Sequence, residues 1–289
     1  MDVEAPQRLV RALGESGGDG WLQRLPEVVE ETVSRQGLDV ERVTAPGGRS
    51  SLVLLVRLGD GTPAALKLAP PAARPELERA ALEHWDGWGA VRLLSSPGDA
   101  LVLERLHPEV SLRSLPEAKA LLEAAGIVRR LWVEPPPGHG FETVARRTAR
   151  QAEAMRDVTE PLVSAALAAR EEMIGAPAEA LLLHGNFRQG KVLGADRVPW
   201  LAVGPEPVVG ERAYDLARLV RDRVEDLIAS SSGAAATRRR VNRLADSLDI
   251  DADRLRGWTL FRAVESATRG LREGRVREAE VGLEFASWL

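Results

Sequence analysis

Leu182-Leu183-His184-Gly185-Asn186-Phe187-Arg188-Gln189-Gly190-Lys191-Val192-Leu193, followed by Pro199-Trp200-Leu201-Ala202-Val203-Gly204-Pro205-Glu206-Pro207, is the stretch that decides how this chain is read. Three apolar runs, 181–183, 191–194 and 199–203, have the length of short strands. The polar and glycine residues between them fall on loops. His184, Asn186, Arg188, Lys191 and Glu206 therefore sit on connections held by apolar strands, where binding and catalytic side chains collect.

Upstream, the pattern changes to a hairpin, a helix and two more strands. Residues 18–36 read as a helix with Trp21, Leu22, Leu25, Val28, Val29 and Val33 on one face. Residues 51–58 and 63–69 read as paired strands joined by Gly59-Asp60-Gly61-Thr62, because Asp-Gly tolerates positive φ. Lys67 lies on the returning strand. A helix is expected over 75–87, then strands at Val91–Leu94 and Leu101–Leu106. Downstream the chain reads as helical over 115–132, 142–158, 161–175, 213–229, 234–248 and 252–273. Glu134–Gly140 and Ser230–Gly233 act as breakers. The expected organisation is α+β in two parts: 1–106, an N-terminal helix plus a small β-rich lobe, and 107–289, a mostly helical lobe carrying the motif loops.

The composition is that of a soluble globular protein, with 289 residues, 44% hydrophobic and 28% charged. Cysteine is absent, which excludes disulfides, thiolate nucleophiles and cysteine-ligated metals. The four histidines, His84, His107, His139 and His184, are too scattered for a zinc site. A net charge of −4 argues against a nucleic-acid partner. No apolar run is long enough to span a membrane. The acidic Met1-Asp2-Val3-Glu4-Ala5 start lacks a signal-peptide core, so a cytoplasmic protein is expected.

The central stretch resembles the aminoglycoside phosphotransferase family, in its streptomycin 6-kinase and hydroxyurea phosphotransferase branch, whose members carry a pattern like HGDLHxxNVL and then WLAIDPKPxxGDPAYDLA. Other segments are similar in the same order. Ala64–Leu68 resembles the family's AVLKL strand, Trp85–Leu94 its WDGxGAVRLL, and Leu103-Glu104-Arg105-Leu106 its LLERL hinge. Gly210–Leu219 resembles GDPAYDLARLL, and Arg256–Val264 a late helix. The resemblance implies a two-lobed protein-kinase-like fold. It also implies that Lys67 holds the nucleotide phosphates and that a glutamate on the next helix orients it. Glu78 is the candidate, with Glu76 and Glu83 as rivals. Gly47 and Gly48 would cover the phosphates with backbone N–H groups, and Glu104 to Leu106 would offer backbone groups to an adenine. Without the resemblance, Lys67 reads more readily as an exposed edge-strand lysine, and Glu78 as part of a solvated helix face.

Against that pattern the reactive positions are substituted. Asn186 stands at the catalytic aspartate, and a neutral amide cannot accept the hydroxyl proton. Lys191 stands at one metal ligand and Gly204 at the other. Each of these three changes adds one positive charge, and Arg188 replaces a histidine. Glu206 and Glu211 are the remaining carboxylates that a displaced metal would have to use. His184 is expected to prop the motif loop, Asp215 to cap or anchor the following helix, and Trp200 and Trp258 to be core. Glu153, Asp157, Glu171 and Glu172 read either as attractors of a cationic sugar or as a solvated helix face. The expected function is an impaired pseudokinase that binds a small-molecule ligand or a protein partner. It would hold ATP or another nucleotide without Mg²⁺, with Lys191 supplying the missing charge. The alternative is an ATP- and Mg²⁺-dependent kinase of an aminoglycoside-like antibiotic or related metabolite.

Overall fold

A computed structural model describes residues 4–15, 17–176 and 179–289, so Met1–Val3 at the acidic start lie outside the described residues. The chain divides into two compact units, Met1–Ser111 with Leu193–Val203, and Leu112–Val192 with Gly204–Leu289. The division read at residue 106 leaves Leu193–Val203 with the later residues, whereas these group with the first unit.

The first unit is built on a five-stranded antiparallel sheet of order β1-β2-β3-β5-β4: β1 (Asp39–Val43), β2 (Leu52–Arg57), β3 (Pro63–Leu68), β4 (Leu93–Ser95) and β5 (Leu101–Glu104). Alternation along the strands puts Leu52, Leu54 and Val56, Ala64, Leu66 and Leu68, and Ala100 and Val102 into one core. Two helices, α1 (Gln7–Gly14) and α2 (Asp19–Gln36), cover it with Leu9, Leu13, Leu25 and Val29. Helix α2 is the one expected over 18–36. It ends at Gly37, whose φ of +58° is the left-handed turn that lets Leu38 N–H return to the Val33 carbonyl at 3.0 Å. The β2–β3 turn is closed by Leu58 N–H to Thr62 O at 2.9 Å and Gly61 N–H to Leu58 O at 2.8 Å. Helix α3 (Pro75–Trp85) buries Glu78, Ala81, Leu82 and Trp85. The same period of two turns Lys67 away from the core that Leu66 and Leu68 enter. A second sheet joins β6 (His107–Ser111), β8 (Val192–Gly194) and β9 (Trp200–Ala202). Trp200, read as core, is only half-buried.

The second unit is mostly helical: α4 (Glu117–Leu131), α5 (Val144–Arg156), α6 (Pro161–Gly175), α7 (Arg212–Val220), α8 (Val224–Ile228), α9 (Gly233–Leu248), α10 (Ala252–Arg272) and α11 (Val276–Ala286). A two-stranded ribbon, β7 (Leu181–Leu183) with β10 (Val208–Gly210), carries the motif loop. Helix α10 packs against α5, α6, α7, α9 and α11 and is the spine of the unit. It buries Trp258 and Phe261, and Trp258 meets Tyr214 edge-on at 5.2 Å. The single helix expected over 213–229 is two, because Arg223 takes φ +57° between α7 and α8.

Candidate functional site

Lys67 Nζ donates to Glu78 Oε2, and both side chains are nearly buried. Of the three glutamates considered, Glu78 is the one the fold brings to the lysine. Glu76 pairs with Arg74 and Glu83 with Arg79. Glu78 Oε1 is buried without a hydrogen-bond partner, so the carboxylate has acceptor capacity left. The 45–51 loop lies between β1 and β2, and β1 was not read from the sequence. Gly47 in this loop has φ +73°, and a β-carbon there would meet Pro6. At the hinge, Glu104 is already engaged. Its N–H donates to Arg92 O at 2.9 Å, and its carboxylate accepts from Arg92 N–H at 2.6 Å and from Arg197 at 2.8 Å. Leu106 is buried.

In the second unit the motif loop hangs on one carboxylate. Asp215, in the first turn of α7, accepts from His184 N–H at 3.0 Å, Gly185 N–H at 2.8 Å and Trp132 Nε1 at 3.2 Å. It anchors the loop and does not cap α7, whose N-cap residue is Glu211. Burial raises the Asp215 pKa, and Arg262 with the loop amides opposes this. The His184 ring accepts from Asn186 N–H at 3.2 Å, the propping role read from the sequence. Gly185, at φ +74°, is required: a β-carbon there would collide with the Glu206 carbonyl.

Asn186 Nδ2 donates to Glu206 Oε1 at 2.7 Å, while Asn186 Oδ1 is buried without a partner. Glu206 is exposed, so the position of the family base is a neutral amide with a solvent-facing carboxylate beside it. Lys191 closes the 3-10 turn Gln189–Lys191. A β-carbon at Gly204 would lie 2.6 Å from Lys191 Nζ. The lysine ammonium therefore occupies the space into which an aspartate at 204 would grow. Glu211 is committed elsewhere: its oxygens accept from Arg254 at 2.6 and 2.7 Å and from Trp258 Nε1 at 2.6 Å, and it is buried.

Several supporting residues were not legible in the sequence. Asp222 accepts from Gln189 N–H at 2.5 Å, and Arg223 donates to Gln189 Oε1 at 2.8 Å and Leu115 O at 2.8 Å. The break between α7 and α8 thus clamps the turn that carries Lys191. Arg147 donates to Glu206 O and Pro207 O, each at 2.9 Å, and is itself held by Glu142 at 2.7 Å. Arg262 lies 4.3 Å above the Tyr214 ring and donates to Tyr214 O and Gly185 O. The only signal available was the abundance of arginine on helices, which does not say what each reaches.

These residues do not suit a divalent metal. A hard cation such as Mg²⁺ takes oxygen ligands. Here the two ligand positions hold an ammonium and a glycine. Among the described residues no group of three or more His, Asp or Glu side chains is gathered for a metal. The phosphate part of a nucleotide is better served, because the buried Lys67–Glu78 pair presents an oriented ammonium.

The β-rich unit with a lysine–glutamate pair, and the helical unit with a strand-borne catalytic-type loop, define a protein-kinase-like phosphotransferase fold. The family model described as aminoglycoside/hydroxyurea antibiotic resistance kinase matches residues 36–274, and the chain belongs to that family. It is 34% identical to streptomycin 6-kinase of Streptomyces glaucescens over 94% of this chain and 92% of that protein. It is likewise 34% identical to hydroxyurea phosphotransferase of Kitasatospora aureofaciens, over 95% of this chain and 82% of that protein. Among solved structures, a thermostable mutant of aminoglycoside phosphotransferase APH(4)-Ia, in ternary complex with ADP and hygromycin B, has the same fold. Its TM-score is 0.60 at 17% identity, covering 89% of this chain and 96% of that one.

Proposed function

We propose that this chain is a nucleotide-binding member of the family in which Mg²⁺-dependent phosphoryl transfer is lost or severely weakened, and that it acts by binding a small-molecule ligand or a protein partner. One observation carries the reading: the Lys191 ammonium lies 2.6 Å from where the β-carbon of a residue at 204 would stand, so it fills the start of any side chain there. A fixed cation there repels a divalent ion. Lys67, oriented by Glu78 within the first unit, supplies an ammonium to a nucleotide phosphate. Gly47 and Gly48 supply backbone donors to the phosphates, and Glu104 to Leu106 the adenine contacts. The amide at 186 can orient a hydroxyl but cannot take its proton, which costs on the order of 10²–10⁴ in rate. A cytoplasmic location belongs to the same proposal.

The test is ADP release from ATP and Mg²⁺ with streptomycin or hydroxyurea as acceptor. The expected result is no acceptor-dependent turnover above background; robust turnover would reject the reading. A second reading is an active ATP-dependent kinase of a hydroxyl on an aminoglycoside-like antibiotic or related metabolite. The relatives favour it, since they are named as a kinase and a phosphotransferase and align along nearly the whole chain. Glu206 favours it too, because its carboxylate touches Asn186 and is the group at hand to replace the missing base. On this reading Glu206→Gln would abolish the turnover.

A further inference from the structure

The second unit holds a cleft that none of the motif-loop residues lines. Helices α10 and α11 pack closely because small residues face each other. A β-carbon at Gly282 would lie 3.3 Å from that of Ala267, and one at Gly270 would lie 3.5 Å from that of Ala279. Helix α8 packs on the same α11. The end of α7, α8, α10 and the start of α11 leave a cavity of about 720 Å³ among them, a volume within the range of small-molecule sites.

Its lining is of two kinds. Val224, Val276 and Val281 form an apolar wall, beside two glycines, Gly274 and Gly282, that add no side chain to fill the space. Val276 is 51% exposed, an apolar side chain of that size left open to solvent. The polar part is Arg221 with Ser266. Arg221 donates to Ser266 Oγ at 3.2 Å, which fixes a half-buried guanidinium in the cleft. Arg221 makes no other hydrogen bond and no ion pair among the described residues, so four of its five donors remain for a ligand. The acids next to it are engaged elsewhere: Asp222 accepts from Gln189 N–H, and Glu265 pairs with Arg269 at 3.3 Å. Arg275, also in the lining, is held by Glu273 and Glu278.

We infer that this cleft binds a small monocarboxylate with an aliphatic body, its carboxylate on Arg221 and its chain along Val224, Val276 and Val281. A guanidinium fork matches the two oxygens of a carboxylate and pairs with them bidentately. Covering the valines removes apolar surface from water, which favours an aliphatic chain over a purely polar ion. The charge is limited to one. Glu225 and Glu278 also line the cleft, and Glu225 makes no hydrogen bond or ion pair among the described residues, so a dianion is repelled more strongly than a monoanion. Arg277, exposed at the rim, draws an anion toward the cleft. The inference does not rest on nucleotide binding, which would use Lys67 in the other unit.

The test is calorimetric titration of sodium hexanoate into the full chain, with hexan-1-ol and sodium acetate as controls. Hexanoate is expected to bind about tenfold more tightly than either control, since hexanol lacks the charge and acetate the chain. Arg221→Gln is expected to weaken hexanoate by about tenfold, the worth of one charged hydrogen-bonded pair. Val276→Asp is expected to weaken it by about fivefold, because it replaces part of the apolar wall by a like charge. Position 276 is exposed and opens α11, where an aspartate favours the helix, so this variant decides should Arg221→Gln fail to fold. The proposal is overturned if the wild-type chain does not bind hexanoate, if hexanol or acetate binds as tightly, or if either folded variant binds hexanoate like the wild type.

Discussion

A few side chains decide what this protein can do. Lys67 and Glu78 were identifiable in the sequence as strand lysine and helix glutamate, and the choice among Glu76, Glu78 and Glu83 required the fold. Only Glu78 lies on the buried side of α3, while its rivals pair with arginines at the surface. Replacing Glu78 by Gln keeps the shape but removes the charge that holds the ammonium. ATP affinity measured by calorimetry is expected to fall about tenfold, the equivalent of one charged hydrogen bond. An unchanged affinity would detach Lys67 from nucleotide binding. The substitutions at 186, 191 and 204 were fully legible as letters. Their consequence was not, because that Lys191 fills the space of a side chain at 204 depends on Gly204 taking φ +60°.

Among the elements, the long periodic helices were legible and the short or polar ones were not. Helices α2, α3, α4, α5, α6, α9 and α10 fall within two residues of the expected spans. The elements not read were α1, β1, β6, β10 and α11. β1 and β6 are largely polar edge segments with no alternation to read. β10 is three residues after a proline. The split of α7 from α8 depends on Arg223 adopting positive φ, which periodicity cannot reveal. Asp215 shows how an element carries the site. Truncating it to Ala leaves His184 N–H, Gly185 N–H and Trp132 Nε1 without their acceptor, two of them in the buried loop. A loss of about 3–5 kcal/mol in urea-measured stability is expected. A loss below 1 kcal/mol would mean that the loop is held by something else.

Helix α5 supplies a pH-dependent link to the same loop. Burial raises Glu142, but hydrogen bonds from Arg147 and Arg150 overcome it and hold the carboxyl below its ordinary range. A carboxyl depressed in the folded state stabilises above its unfolded pKa, and that contribution is lost as pH falls through the folded value. Glu142→Gln is therefore expected to cost less than about 1 kcal/mol at pH 7, since the group is partly solvent-screened. The difference from wild type should begin to shrink below roughly pH 4 and vanish only below the depressed folded pKa. A difference that grows toward acid would contradict the assignment.

For the molecule as a whole, fold and family were legible because the matching segments follow one another in order along nearly the entire chain, and each unit's apolar pattern repeats what its backbone needs. The α+β, protein-kinase-like architecture follows directly. The candidate site was less legible, because it depends on groups converging from residues far apart in sequence: Lys191 on Gly204 and Glu206 on Asn186. Among the described residues no helix is long and apolar enough to cross a membrane. The central claim is that the fold keeps a phosphate-binding lysine pair while an ammonium has taken the metal's place. It is tested most directly by calorimetric titration of ATP into the purified protein, once with Mg²⁺ and once with a chelator. Binding of comparable strength in both buffers is the expected result. Binding that requires Mg²⁺ would contradict the account and return the chain to the working kinases of its family.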